Sequence, residues 1–241
     1  EITSTTSITT CVLPLTYCPR SGCSFTANQM DDVSDYLWNN SLDLAKETLH
    51  LEFLNKLKSY TMKAERYLKF TLQDMVYLDG VTAMLKEMSE KVTEPEDLKV
   101  FIEGRHSSYK KFRDSSENQK LFVLLNFMLF FLLQDLNSIE PMPAMQKYLD
   151  TYREVMKESD PVYFVVALLP CPRAWSWIAQ NLQLPKHSVH YIRKSDSESG
   201  QSEKHYRPIL NKYLNSTEKL QKANDIFRRQ MQNEHDFFYT S

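Results

Sequence analysis

The chain has 241 residues, 29 Lys and Arg against 31 Asp and Glu, and only 4 Gly beside 10 Pro. That length can bury a substantial core, and 42% hydrophobic with 25% charged residues excludes global disorder and collagen-like repeats. A formal net charge of -2 argues against a dedicated nucleic-acid binder, and four glycines weigh against a phosphate-binding α/β fold. The composition points to an all-helical protein.

Residues 1–30 read as a flexible segment. EITSTTSITT is Ser- and Thr-rich, and Cys11, Cys18 and Cys23 then share a short stretch with Pro14, Pro19 and Gly22. C-x6-C-x4-C without a nearby His is a poor zinc site, so an oxidised loop in a secretory compartment is the expectation. Asn39-Asn40-Ser41 and Asn215-Ser216-Thr217 are glycosylation sequons that permit secretion without requiring it.

From residue 31 to 241 the pattern is helical. Val33, Leu37, Leu44, Phe53 and Leu57 predict a helix over 33–57, opening at the cap candidates Asp32 and Ser34. A long amphipathic helix follows at 62–92 and stops before Pro95. The next runs over about 96–113, ending at the polar stretch DSSEN. LFVLLNFMLFFLL, 121–133, belongs to a buried helix near 118–138 and is too short to cross a bilayer, which takes about 20 apolar residues. Helices are expected at 143–158 and 161–184, the second with Pro161 in its first turn and Pro170 as a local disruption. KSDSESGQSEK reads as a surface loop, and 204–216 and 217–239 are the last helices. No strand pattern competes, which gives a single all-α domain.

Four places in this pattern could carry chemistry. Asp74 and Tyr77 are three apart, so a helix puts them on one face; buried acids are rare unless paired, and a surface-edge carboxylate is the plain alternative. Cys171 follows an apolar run and Pro170, where a buried structural cysteine is the ordinary expectation. Glu234 on the last helix would ordinarily be a solvated charge. Glu47–His50 and Glu103–His106 have the Glu-x-x-His spacing of a di-iron bundle, but no further bridging Glu pair accompanies them, so a chance pairing is preferred.

Taken together, Leu72-Gln73-Asp74 with Tyr77-Leu78, Ala167-Leu168-Leu169-Pro170-Cys171, and Glu234 with Phe237-Phe238 resemble the TenA family, the class II thiaminases with a haem-oxygenase-like helical fold. Phe53 lies where that family places a Phe, with His50 near its usual His, and the resemblance covers roughly residues 33–240. It implies Cys171 as nucleophile and Glu234 as catalytic carboxyl. It implies Asp74, Tyr77, Tyr148 and Tyr213 around an aminopyrimidine ring, with Trp175 at a position that is usually tyrosine. The implied reaction cleaves thiamin or an aminomethyl-pyrimidine through a Cys adduct, by hydrolysis or base exchange. It needs no cofactor and no metal, and the implied assembly is a homo-oligomer, dimer or tetramer. The sequence departs from the family at Pro172 and Arg173 beside the cysteine, in the apolarity of 121–133 and in the cysteine-bearing leader. Two other readings stand beside it: a non-catalytic pocket holding a flat heteroaromatic or tetrapyrrole ligand, and an interaction protein assembled through 121–133.

Overall fold

A computed structural model describes residues 32–127, 139–158, 160–182 and 202–241; the side chains of 115–127 are not among what is described. The cysteine-bearing segment and the loop at 194–201 lie outside these residues, as does most of the apolar run. The described chain is all helix and connecting turn: α1 (Val33–Asn39), α2 (Leu42–Leu49), α3 (Glu52–Lys58), α4 (Ala64–Lys91), α5 (Glu96–Phe127), α6 (Pro143–Glu158), α7 (Pro161–Leu168), α8 (Pro170–Asn181), α9 (Ser202–Tyr213) and α10 (Thr217–Thr240).

The helix expected over 33–57 is broken twice. Asn40 and Ser41 separate α1 from α2, and His50 and Leu51 separate α2 from α3. Each break lets a short amphipathic turn re-aim its apolar residues, so that Leu37, Leu44 and Phe53 all reach the interior. α1 starts where Asp32 accepts from the backbone N–H groups of Ser34 and Asp35. In the opposite sense, DSSEN does not stop a helix, and α5 runs through it to Phe127. Ser, Asp and Asn are weak helix formers but neither remove an N–H nor need a left-handed backbone, so they do not force a stop as Pro or Gly would.

α7 is buried from Val162 to Leu168 and ends because Pro170 has no N–H to continue the ladder. α8 restarts at that proline after the single residue Leu169, which itself stays near helical dihedrals. The stretch Pro161–Asn181 is long and apolar enough to cross a membrane, but 72% of its most apolar window is buried inside the protein. It is the core.

α10 explains the architecture best. Leu220, Ala223, Phe227, Gln230, Met231, Glu234, Phe237 and Phe238 recur at helical spacing and are buried, and Ser216 caps the start by accepting from Lys219 N–H. This one helix touches α1, α2, α3, α6, α7 and α8. α4 and α5 pack against each other as the longest hairpin, and α6 closes over α4 and α10. Gly80 is the close approach between α4 and α6: a Cβ there would lie 2.7 Å from Leu149 Cδ2. The buried side chains form one continuous core drawn from every one of these helices.

Candidate active site

Four helices aim polar groups at one point of this core. α10 supplies Glu234, a carboxyl only 2% exposed. α6 supplies Tyr148, whose hydroxyl donates to Glu234 Oε1 at 2.7 Å. α8 supplies Cys171 in its first turn, set there by the proline break. The Cys171 thiol lies within hydrogen-bonding reach of Glu234 and Tyr77, and Asp74 of α4 is close enough for its charge to act on both Cys171 and Glu234. Cys171, Asp74 and Trp175 keep part of their surface accessible amid buried neighbours.

The electrostatics follow from burial. Glu234 is pushed from its ordinary 4.5 up to about 7, because the interior penalises the carboxylate. Hydrogen bonds from Tyr148 and Cys171 pull it down, and the charge of Asp74 pushes it further up. Burial also drives the Cys171 thiol well above its ordinary 9, with the Glu234 charge reinforcing the rise and the Tyr77 hydrogen bond opposing it. The resting site therefore holds a neutral thiol beside a carboxyl poised at neutral pH.

An aromatic wall surrounds the pair. Tyr77 and Tyr148 have ring centroids 5.1 Å apart, and Tyr148 stacks on Tyr152 at 5.4 Å with 16° between planes. The Tyr77 and Tyr152 hydroxyls share a hydrogen bond of 2.9 Å. Trp175, one turn beyond Cys171, packs against Phe238 at 5.0 Å and Phe70 at 6.0 Å. Phe53 joins the same aromatic group, 4.5 Å from Phe70.

The structure thus brings Cys171, Glu234, Asp74, Tyr77 and Tyr148 together, with Trp175 on the adjoining wall. Tyr213 is placed elsewhere. It ends α9 and donates to Asp97 Oδ1 at 2.6 Å, where Asp97 also holds Lys212. His50 is exposed and bonded to its own helix through Lys46 O. Among the described residues, no group of three or more His, Cys, Asp and Glu is arranged to hold a metal ion.

The sequence reading missed Tyr109, Tyr152 and Tyr206. Tyr152 lies four residues after Tyr148, a spacing that was legible; Tyr206 lies two turns before Tyr213 on α9. Tyr109 is reachable only through the α4–α5 pairing, which sets it within hydrogen-bonding reach of Tyr77. Gln73 was also passed over: it accepts from Met142 N–H at 2.8 Å and donates to Glu140 O at 3.0 Å, pinning the entry to α6 and so the position of Tyr148. The unexpected charge beside the cysteine faces away from it. Arg173 donates to Ser34 O and Oγ and to Asp35 Oδ1, and lies 5.0 Å from the Trp38 ring, tying α8 to α1.

Comparison with known proteins agrees with this geometry. Similar solved structures include a TenA homologue from P. horikoshii OT3, at 20% identity and TM-score 0.68, over 86% of this chain and 96% of that one. A protein from Silicibacter sp. TM1040 named a TenA family transcription regulator has 16% identity and TM-score 0.68, over 86% and 95%. A candidate TenA-like thiaminase from Sulfolobus solfataricus P2 has 15% identity and TM-score 0.58, over 85% and 92%. At these identities the likeness is one of fold. No curated protein matches the chain. The model of the TENA/THI-4/PQQC family matches residues 38–241, from the end of α1 through the last residue of the chain. The chain belongs to the TENA/THI-4/PQQC family.

Proposed function

We propose that this protein is a thiaminase of the TenA type, hydrolysing thiamin or an aminomethyl-pyrimidine relative at the methylene carbon to release hydroxymethyl-pyrimidine. The observation that carries the reading is the meeting of Cys171 with Glu234, itself tuned to about 7, beside Asp74 in an aromatic interior. The aminopyrimidine ring lies against the tyrosines, and the Asp74 carboxylate pairs with its ring nitrogen and amino group.

Because the thiol is neutral at rest, nucleophilic attack and proton transfer go together. Cys171 Sγ bonds to a pyrimidine ring carbon as its proton passes to the Glu234 carboxylate. The C–N bond at the methylene then breaks, and the leaving group departs with the electron pair. A thiazole leaves neutral and Glu234 then releases its proton to solvent, while an amine takes the proton from Glu234. Water adds to the methylene carbon, yielding its proton to the Glu234 carboxylate, and the C–S bond breaks to restore the aromatic ring, the departing sulfur taking that proton back from Glu234. The net change is one C–N bond exchanged for C–O, with one water consumed. An amine acceptor in place of water would give base exchange from the same adduct.

Incubation of the purified, reduced protein with thiamin and with an aminomethyl-pyrimidine, with products resolved by chromatography, tests the reading. Hydroxymethyl-pyrimidine should form with wild type and fall by about 100-fold or more in Cys171→Ser and in Glu234→Gln. No product from folded wild type, or equal turnover in Cys171→Ser, would sink it and favour a pocket that only holds its ligand.

A further inference from the structure

The polar groups of the interior divide by charge. At Cys171 the neighbouring charges are the carboxyls of Glu234 and Asp74. Where α5 meets α9 the sign reverses. The Arg105 guanidinium lies 5.7 Å from the Phe101 ring centroid and 5.8 Å from that of Tyr206, and it makes no ion pair with a carboxylate among the described residues. A guanidinium lying over aromatic faces keeps in-plane N–H groups available to a further acceptor.

Beside it the Tyr206 hydroxyl is fully buried and completes no well-aligned hydrogen bond among the described residues, the Arg105 guanidinium being the donor within reach of its oxygen. A buried hydroxyl without a partner is costly, and a family of such groups marks a place where a ligand atom completes the set. Tyr206 is not remote from the thiol: it and Tyr109 are both close enough to Cys171 for their ionisations to be coupled, and Tyr109 lies within reach of Tyr206 and of Tyr77. The interior thus has an acidic end at Asp74 and Glu234 and a cationic end at Arg105, joined by Tyr77, Tyr109 and Tyr206. Burial keeps the Tyr206 phenol protonated, so its O–H can donate alongside the Arg105 guanidinium while its oxygen can still accept.

We propose that Arg105 and the Tyr206 hydroxyl form a subsite for an oxyanion, and that the leaving group of the substrate carries it, as a phosphate monoester or a carboxylate. This inference rests on the function proposed above and names its substrate class: a molecule with an aminopyrimidine at one end and an anion at the other. The fixed positive charge of Arg105 beside a phenol donor favours an oxyanion over a neutral hydroxyl, and the guanidinium fork suits two oxygens of one group.

The test compares kcat/KM for thiamin, thiamin monophosphate and a thiamin analogue ending in a carboxylate, in wild type, Arg105→Gln, Tyr206→Phe and the surface control Arg153→Gln. Wild type and the control should prefer an anionic substrate by about 10-fold or more, as one charge-assisted contact provides. Arg105→Gln should collapse that ratio towards one, and Tyr206→Phe should lower it in part. A gain for both anions assigns the subsite to oxyanions generally, and a gain for the phosphate ester alone assigns it to phosphate. Equal kcat/KM for charged and uncharged substrates in wild type, or a preference that survives Arg105→Gln, would overturn the subsite. Calorimetric binding of the phosphorylated and unphosphorylated thiazole alcohols separates this inference from the catalytic one. If no substrate turns over, about 10-fold tighter binding of the phosphorylated alcohol by wild type than by Arg105→Gln supports the subsite alone, and equal binding removes it.

Discussion

Glu234 concentrates the energetics of the site in one side chain. Its carboxyl is buried and held by Tyr148, and burial raises it from 4.5 to about 7. Such a group favours the folded state while it is neutral. The sign is fixed by linkage: the unfolded carboxyl releases its proton first, so the contribution is complete below pH 4.5 and is lost as pH rises through about 7. The displacement corresponds to about 3 kcal/mol. Glu234→Gln cannot ionise and should therefore be more stable than wild type at pH 8, with the difference shrinking as pH falls from about 7 to 4.5. Urea denaturation across that range measures it, and a gap that does not change with pH would remove burial as the cause of the shift. Tyr148 acts on the same carboxyl in the other direction, since its hydrogen bond favours the charged form.

At the scale of the element, the breaks matter as much as the helices. Pro170 ends α7 and opens α8, and that discontinuity is what turns Cys171 into the interior one residue later. The two described glycines sit in helices under opposite constraints. Gly104, on α5, has nothing within 4 Å of where a Cβ would stand, whereas Gly80 faces Leu149 of α6 at 2.7 Å. Gly104→Ala should stabilise by about 0.5–1 kcal/mol, since only the helix propensity changes. Gly80→Ala should gain less or lose stability, because Leu149 must give way beside the α4–α6 contact that also carries Tyr77 against Tyr148. Melting temperatures of the two variants decide this, and an equal gain at both positions would show that the close approach imposes no cost.

Over the whole molecule, what the sequence made legible was set by period and by motif. The 3.6-residue periodicity placed α4, α6 and α10 with little error because each buries one continuous face. It misjudged 33–57, where three short helices share a similar apolar pattern but change direction at Asn40–Ser41 and at His50–Leu51. It also misjudged 96–127, where a polar run without Gly or Pro read as an end. Asp74, Tyr77, Cys171 and Glu234 were readable because they stand in recognisable local motifs, and Tyr148 through its spacing from Cys171. Tyr109, Tyr206 and Arg105 were not, because a tyrosine at helical spacing is indistinguishable from core and an arginine from surface until α5, α9 and α4 are packed together. Tyr213 shows the converse: a motif position whose hydroxyl the packing directs to Asp97.

The pH dependence of kcat/KM for thiamin hydrolysis, in wild type and in Tyr148→Phe, tests most directly whether Glu234 moves the proton of a neutral Cys171. In wild type the rate should rise as pH passes through about 7, where the carboxyl ionises and becomes able to accept the thiol proton. Tyr148→Phe removes the 2.7 Å donor that favours the carboxylate, so its rising limb should move to higher pH, by roughly one unit, with activity at pH 7 reduced about 5-fold. A wild-type profile that is flat from pH 6 to 8, or a limb that stays in place when Tyr148 loses its hydroxyl, would contradict the assignment of Glu234 as that base.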